Sequence, residues 1–111
     1  MNANQVTFAG FSTAPATFKM IGTRGLCEFT IASNRKARTP QEQPQVDFLD
    51  VKVWGKNAEA ISREVGKGSP LIVTGPLRLD RWEKDGEKHS RITMEAYIVG
   101  RQILAPKAEA E

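Results

Sequence analysis

At 111 residues, with 40% apolar and 26% charged residues, the chain has the size and composition of one soluble globular domain. No apolar stretch approaches the ~20 residues that cross a bilayer as a helix, and Met1-Asn2-Ala3-Asn4-Gln5 lacks the basic and apolar regions of a signal peptide, so a cytoplasmic address without a membrane partner is expected. The single cysteine, Cys27, excludes an internal disulfide, and a net charge of +3 allows a polyanion partner without demanding one.

The dominant period along the chain is two, which predicts half-buried strands. Asn4 to Phe11 reads as the first strand, broken by Gly10, and Phe18 to Ile21 as a short second piece. Gly22 to Gly25 reads as a turn. From Leu26 to Ala32 the pattern alternates, with Cys27, Phe29 and Ile31 on one face and Leu26, Glu28 and Thr30 on the other. Ser33 to Gln45 is polar, contains Pro40 and Pro44, and reads as an exposed loop; unstructured loops of about 12 or more residues are uncommon and often functional. Its Arg35, Lys36 and Arg38 form a basic cluster with no acid among them.

Val46 to Trp54 is the most informative strand. Leu49, Val51 and Val53 make an aliphatic core stripe, while Val46, Phe48, Asp50, Lys52 and Trp54 share the other face. After Gly55, Ala58, Ile61 and Val65 recur at helical spacing, predicting a short helix over Asn57 to Val65 with Gly66 as its cap. Pro70 to Trp82 reads as one long strand, with Leu71, Val73, Leu77 and Leu79 inward and Thr74, Arg78, Asp80 and Trp82 outward. Asp85-Gly86 predicts a hairpin turn. The return strand, His89 to Arg101, is expected to bury Ile92, Met94, Ala96 and Ile98 and to expose Arg91, Thr93, Glu95 and Tyr97. The tail, 105–111, has the composition of a disordered segment, leaving one domain over 1–104. Strand count and helix position suit an all-β, five-stranded OB-fold barrel with its helix between the third and fourth strands, and would also suit another small barrel.

Phe48, Trp54 and Trp82 lie on strand faces whose neighbours are charged. Base stacking on such rings contributes about 1–3 kcal/mol per base and tolerates any sequence, while Lys52, Lys56, Arg78, Arg81, Lys84 and Arg91 lie near enough to neutralise phosphates. The residues alone leave a second reading open, that the rings pack against the helix or a subunit interface. For Tyr97 that packing or interface role is the preferred one. Gly66-Lys67-Gly68-Ser69 is not a phosphate loop, since the Gly four residues upstream and the feeding strand are missing; it reads as a helix cap and turn. One His, one Cys and scattered acids provide no catalytic constellation and no zinc spacing, so neither enzymatic activity nor a cofactor is expected.

From Asn4 to Leu104 the chain closely resembles the bacterial-type single-stranded DNA-binding proteins. The resemblance rests on an ordered set of segments: Asn4 to Gly10, Phe29 to Asn34, Asp47 to Glu59, Val65 to Ser69, Val73 to Leu77, and Trp82. It implies an OB fold, usually homotetrameric, that grips exposed single strands in replication, recombination and repair. It places base stacking on Phe48, Trp54 and Trp82, and phosphate contacts on Lys56, Lys67 and Arg81 with Arg35 and Lys36 in the corresponding loop. Two departures stand out. Asn34-Arg35-Lys36 carries no aromatic where members often have one, and Ala108-Glu109-Ala110-Glu111 is not the long Gly/Pro/Gln-rich tail with an acidic tip that recruits replication and repair proteins. A dimeric primosomal adaptor of related fold and a single-stranded RNA-binding OB domain are the alternative expectations.

Overall fold

Period-two alternation becomes strand throughout: β1 (Val6–Ser12), β2 (Thr17–Ile21), β3 (Arg24–Asn34), β4 (Val46–Trp54), β5 (Pro70–Gly75), β6 (Leu77–Lys84), β7 (Glu87–Glu95) and β8 (Ile98–Arg101). One helix, α1 (Ala58–Glu64), lies between β4 and β5. The structure, a computed structural model, describes residues 1–103. Leu104, expected to end the domain, and the tail expected over 105–111 lie outside the described residues.

The ladders run in the order β6-β7-β4-β3-β1-β5-β8, with β2 paired to β3 alone. Every pairing is antiparallel except β4 with β7, where Asp50, Val51 and Lys52 lie parallel to Thr93, Met94 and Glu95. The path curls so that the ends of β5 and β7 meet, and single hydrogen bonds from the residues at and just beyond those ends join them in place of a ladder. The Glu95 N–H donates to the Pro76 carbonyl at 3.1 Å and the Tyr97 N–H to that of Thr74 at 3.0 Å. This is the expected OB architecture, a partly open barrel with its helix after the third long run.

Inward side chains fill the barrel: Cys27, Phe29 and Ile31 from β3, Leu49, Val51 and Val53 from β4, Leu71 and Val73 from β5, and Met94 from β7. Ala58 and Val65 are buried in the same core and Ile61 packs against it, so α1 plugs one end with the stripe its spacing predicted. Burial pushes the Cys27 thiol up to about 11, with the neighbouring Glu28 charge adding to the effect.

Several expectations are corrected by tertiary geometry. The first strand runs to Ser12, the Gly22–Gly25 turn shrinks so that Arg24 opens β3, and β3 continues to Asn34, which delays the loop. Val65, not Gly66, caps α1, and Gly66 has no left-handed φ; its N–H is bonded to the Ser69 side chain instead. The buried Ser12 hydroxyl takes the Ser69 N–H at 2.9 Å and donates to the Gly66 carbonyl. This turn therefore spends its polar groups internally.

The expected strand from Pro70 to Trp82 breaks at Pro76, which has no N–H to extend a ladder. Beyond it β6 and β7 form a hairpin arm, turned by Asp85 and Gly86 with φ of 53° and 79°. The arm leaves the barrel, so Leu79 and Ile92, expected inward, face each other across it and stay exposed. The return strand is also interrupted. Thr74 pairs with Ile98 and Leu77 with Met94, so β7–β8 carries one residue more than β5–β6 between the two pairs, a β-bulge. The bulge reverses the alternation: Met94 and Ala96 are buried but Ile98 is exposed, contrary to expectation. Thr93, expected outward, is buried between its register neighbours Asp50 and Arg78.

The seam between β5 and β7 sets a close-approach requirement at Gly75. A Cβ there would sit 2.2 Å from the Glu95 carbonyl oxygen and 2.8 Å from the Ala96 Cα, both backbone. Gly75→Ala is expected to cost about 1–3 kcal/mol or more by overpacking, measured as a lower urea midpoint at unchanged m-value.

Candidate nucleic-acid interface

One face of the sheet collects the outward residues of four strands. On β4 these are Phe48, Asp50, Lys52 and Trp54, opposed on β3 by Ala32, Thr30, Glu28 and Leu26. The parallel ladder sets Thr93 beside Asp50 and Glu95 beside Lys52, which brings Arg91 onto the same face. The arm then adds Arg78, Asp80 and Trp82 opposite Thr93, Arg91 and His89. The three candidate rings thus share one face by register. Phe48 is 66% exposed, because its β3 neighbour is the small Ala32, and Trp82 is 45% exposed. Trp54 is half-buried.

Sequence reasoning missed two groups that accompany the rings. His89 stacks on Trp82, with centroids 5.5 Å apart and planes 18° from parallel. Arg24 lies over the Trp54 ring at 4.4 Å. Its role was hidden when Gly22 to Gly25 read as a turn. The signal that could have found His89 is its position in the hairpin: with Asp85-Gly86 as a two-residue turn, residues 82 and 89 must pair.

The face is not simply basic. Asp50 accepts from the Thr30 hydroxyl at 2.6 Å and pairs with Arg91, while Glu95 accepts from the Trp54 indole N–H at 3.2 Å and from Arg78 at 2.7 Å. Lys19 pairs with Glu28 at 3.3 Å. Burial works to raise the Asp50 carboxyl, but the bonds from Thr30 and Arg91 outweigh it and leave the group below the usual carboxylate range. The bond from Arg78 holds Glu95 low as well, and the bond to Asp50 raises Arg91.

The candidate phosphate contacts divide four ways. Arg78 and Arg91 lie on the ring-bearing face and are held by acids; Arg35, in the loop, is held by Asp47 and Gln45. Its bonds to Asp47 raise Arg35 and lower Asp47. Lys52 and Lys84 lie on the same face as the rings without an ion pair among the described residues. Lys36, Arg38, Lys56 and Lys67 stand on loops and turns, all exposed. Arg81, of opposite parity to Trp82, lies on the back of the arm. Among the described residues no group of three or more His, Cys, Asp or Glu side chains could hold a metal ion, and no helix is long and apolar enough to cross a membrane.

Fold and face together define an OB-type barrel whose open sheet surface carries aromatic rings among charged residues. The profile of the Single-strand binding protein family matches residues 3–102. A single-stranded DNA-binding protein of Treponema pallidum is 34% identical over 115 aligned positions, covering 99% of this chain and 65% of that protein. Single-stranded DNA-binding protein 1 of Clostridium acetobutylicum is 34% identical over 111 positions, covering 96% and 98% of the two chains. The chain thus spans less than two thirds of the first relative and nearly all of the second. A solved Plasmodium falciparum SSB complex with ssDNA superposes with a TM-score of 0.76 over 86% of this chain and 87% of that one, at 17% identity, which establishes a shared fold. The chain belongs to the single-strand binding protein family.

The acid–base pairs give the face a pH signature. Asp50 and Glu95 lie below their ordinary values, so their contribution to stability is complete above the unfolded pKa near 4 and is lost as pH falls through the lower folded values. Urea midpoints measured between pH 7 and pH 2 should therefore begin to fall below about pH 4, and Asp50→Asn should start lower and fall less.

Proposed function

We propose that this chain binds single-stranded DNA without strong sequence preference, protecting and organising exposed strands during replication, recombination and repair. The observation that carries the reading is the placement of Phe48, Trp54 and Trp82 on one face of the barrel sheet, two of them exposed although they are large and apolar. Rings in that setting offer π-faces to any base, which is why such binding tolerates sequence. Lys52 and Lys84 on the face, with Lys36, Arg38, Lys56 and Lys67 at its loops and turns, supply charge that is free to meet phosphates. The binding unit in this reading is residues 1–104, acting in the cytoplasm without catalysis or cofactor.

The same reading extends to a homotetramer. Its support is a second face, formed by β1, β5 and β8, where Phe11, Ile72 and Ile98 are exposed in neighbouring registers. Apolar side chains grouped on an open sheet favour association with another copy.

Tryptophan emission during titration with oligo-dT tests the reading. Strong quenching is expected, with affinity falling as salt rises. Arg35, Arg78 and Arg91 are already engaged by acids, so the seven remaining candidate cations set the slope of log K against log salt at no steeper than about −5. Unchanged emission, or equal affinity for duplex DNA, would overturn the proposal. At the residue level, Phe48→Ala and Trp82→Ala should each weaken oligo-dT binding by about 1–3 kcal/mol. Both rings are exposed, so the unfolding midpoint should barely move.

A further inference from the structure

Trp54 differs from the other two rings in how it is held. Its indole N–H is bonded to one oxygen of Glu95 at 3.2 Å, and the second oxygen of that carboxylate takes the Arg78 Nε–H at 2.7 Å. Arg24 covers the ring at 4.4 Å. Four strands thus contribute one residue each to a single network: Arg24 from β3, Trp54 from β4, Glu95 from β7 and Arg78 from β6. Phe48, in contrast, has no polar atom by which it could be tied and opposes only Ala32.

Glu95 is out of place on a surface that takes phosphates. Were it a bystander, its charge would repel the strand, and its removal would tighten binding. Its geometry says otherwise, because both carboxylate oxygens are used, one to fix the Trp54 ring and the other to hold Arg78. A ring already held in one orientation loses less side-chain entropy when a base stacks on it.

We propose that Glu95 is a positioning residue that holds Trp54 ready for a base, with Arg24 bracing the ring from one side. This rests on the single-strand reading above. Its consequence has a definite sign: removing this acid weakens the grip on a polyanion.

The test uses Trp82→Phe as the parent, so that Trp54 is the only tryptophan and reports its own surroundings. Glu95→Ala in that parent should weaken oligo-dT binding about 3- to 10-fold and make free Trp54 emission less anisotropic and more accessible to acrylamide. Glu95→Gln, which can still accept the indole N–H, should recover most of the affinity and the emission signature. Arg24→Ala should likewise loosen the ring and weaken binding. Should alanine at position 95 prevent folding, Glu95→Met against Glu95→Gln makes the same comparison at similar volume. Binding by Glu95→Ala as tight as the parent's, or a Gln variant as weak as the Ala variant, would overturn the positioning role. Oligo-dT left unbound by the unsubstituted chain overturns the single-strand reading itself, and the role with it.

Discussion

Three residues of β7, Thr93 to Glu95, lie parallel to Asp50 to Lys52 of β4, and the whole ring-bearing face depends on that short ladder. Without it, β4 with Phe48 and Trp54 would belong to one sheet, and the arm with Trp82 to another. The ladder also sets the register of the charges: Asp50 meets Arg91, and Glu95 meets both Trp54 and Arg78. The parallel direction follows from connectivity, since β5 pairs antiparallel with β1 and the hairpin then returns β7 toward β4. Gly75 permits this return by letting the Glu95 and Ala96 backbone approach where any side chain would collide.

Electrostatically the face is a mosaic rather than a basic patch. Its arginines are ordered by carboxylates, while its free charge is on lysines and on loops. Paired arginines of this kind add little stability where exposed, as surface ion pairs contribute about 0–1 kcal/mol. Their effect is on geometry: Arg78 and Arg91 draw Glu95 and Asp50 across strand boundaries and brace the sheet where the arm departs. A strand bound here would meet aromatic rings in defined orientations along a surface of modest net charge. Affinity would then rest on stacking as much as on counterion release.

Much of this was legible from period alone. Leu49, Val51 and Val53 against Phe48, Asp50, Lys52 and Trp54 separated the core side of β4 from its outward side correctly, because β4 is paired on both sides and alternation maps directly onto burial. The same logic failed at Leu79 and Ile92, since parity states which residues share a side, not whether that side meets a core. It failed again at Ile98, where the bulge shifts the count by one. Arg24 and Glu95 were invisible as partners of Trp54, lying 30 and 41 residues away from it in the chain.

The amino-acid sequence by itself determined the all-β class, the helix that plugs the barrel, the core stripes of β3 and β4, and the three rings set apart from them. These follow from local periodicity and turn chemistry, which act over a few residues. Only the tertiary structure decided that the rings share one face, that three of the candidate arginines are held by acids, and that Trp54 is braced by Arg24 and Glu95. Those outcomes depend on the parallel ladder, the seam at Gly75 and the bulge at Ala96–Tyr97, all contacts between distant strands whose register no local pattern encodes.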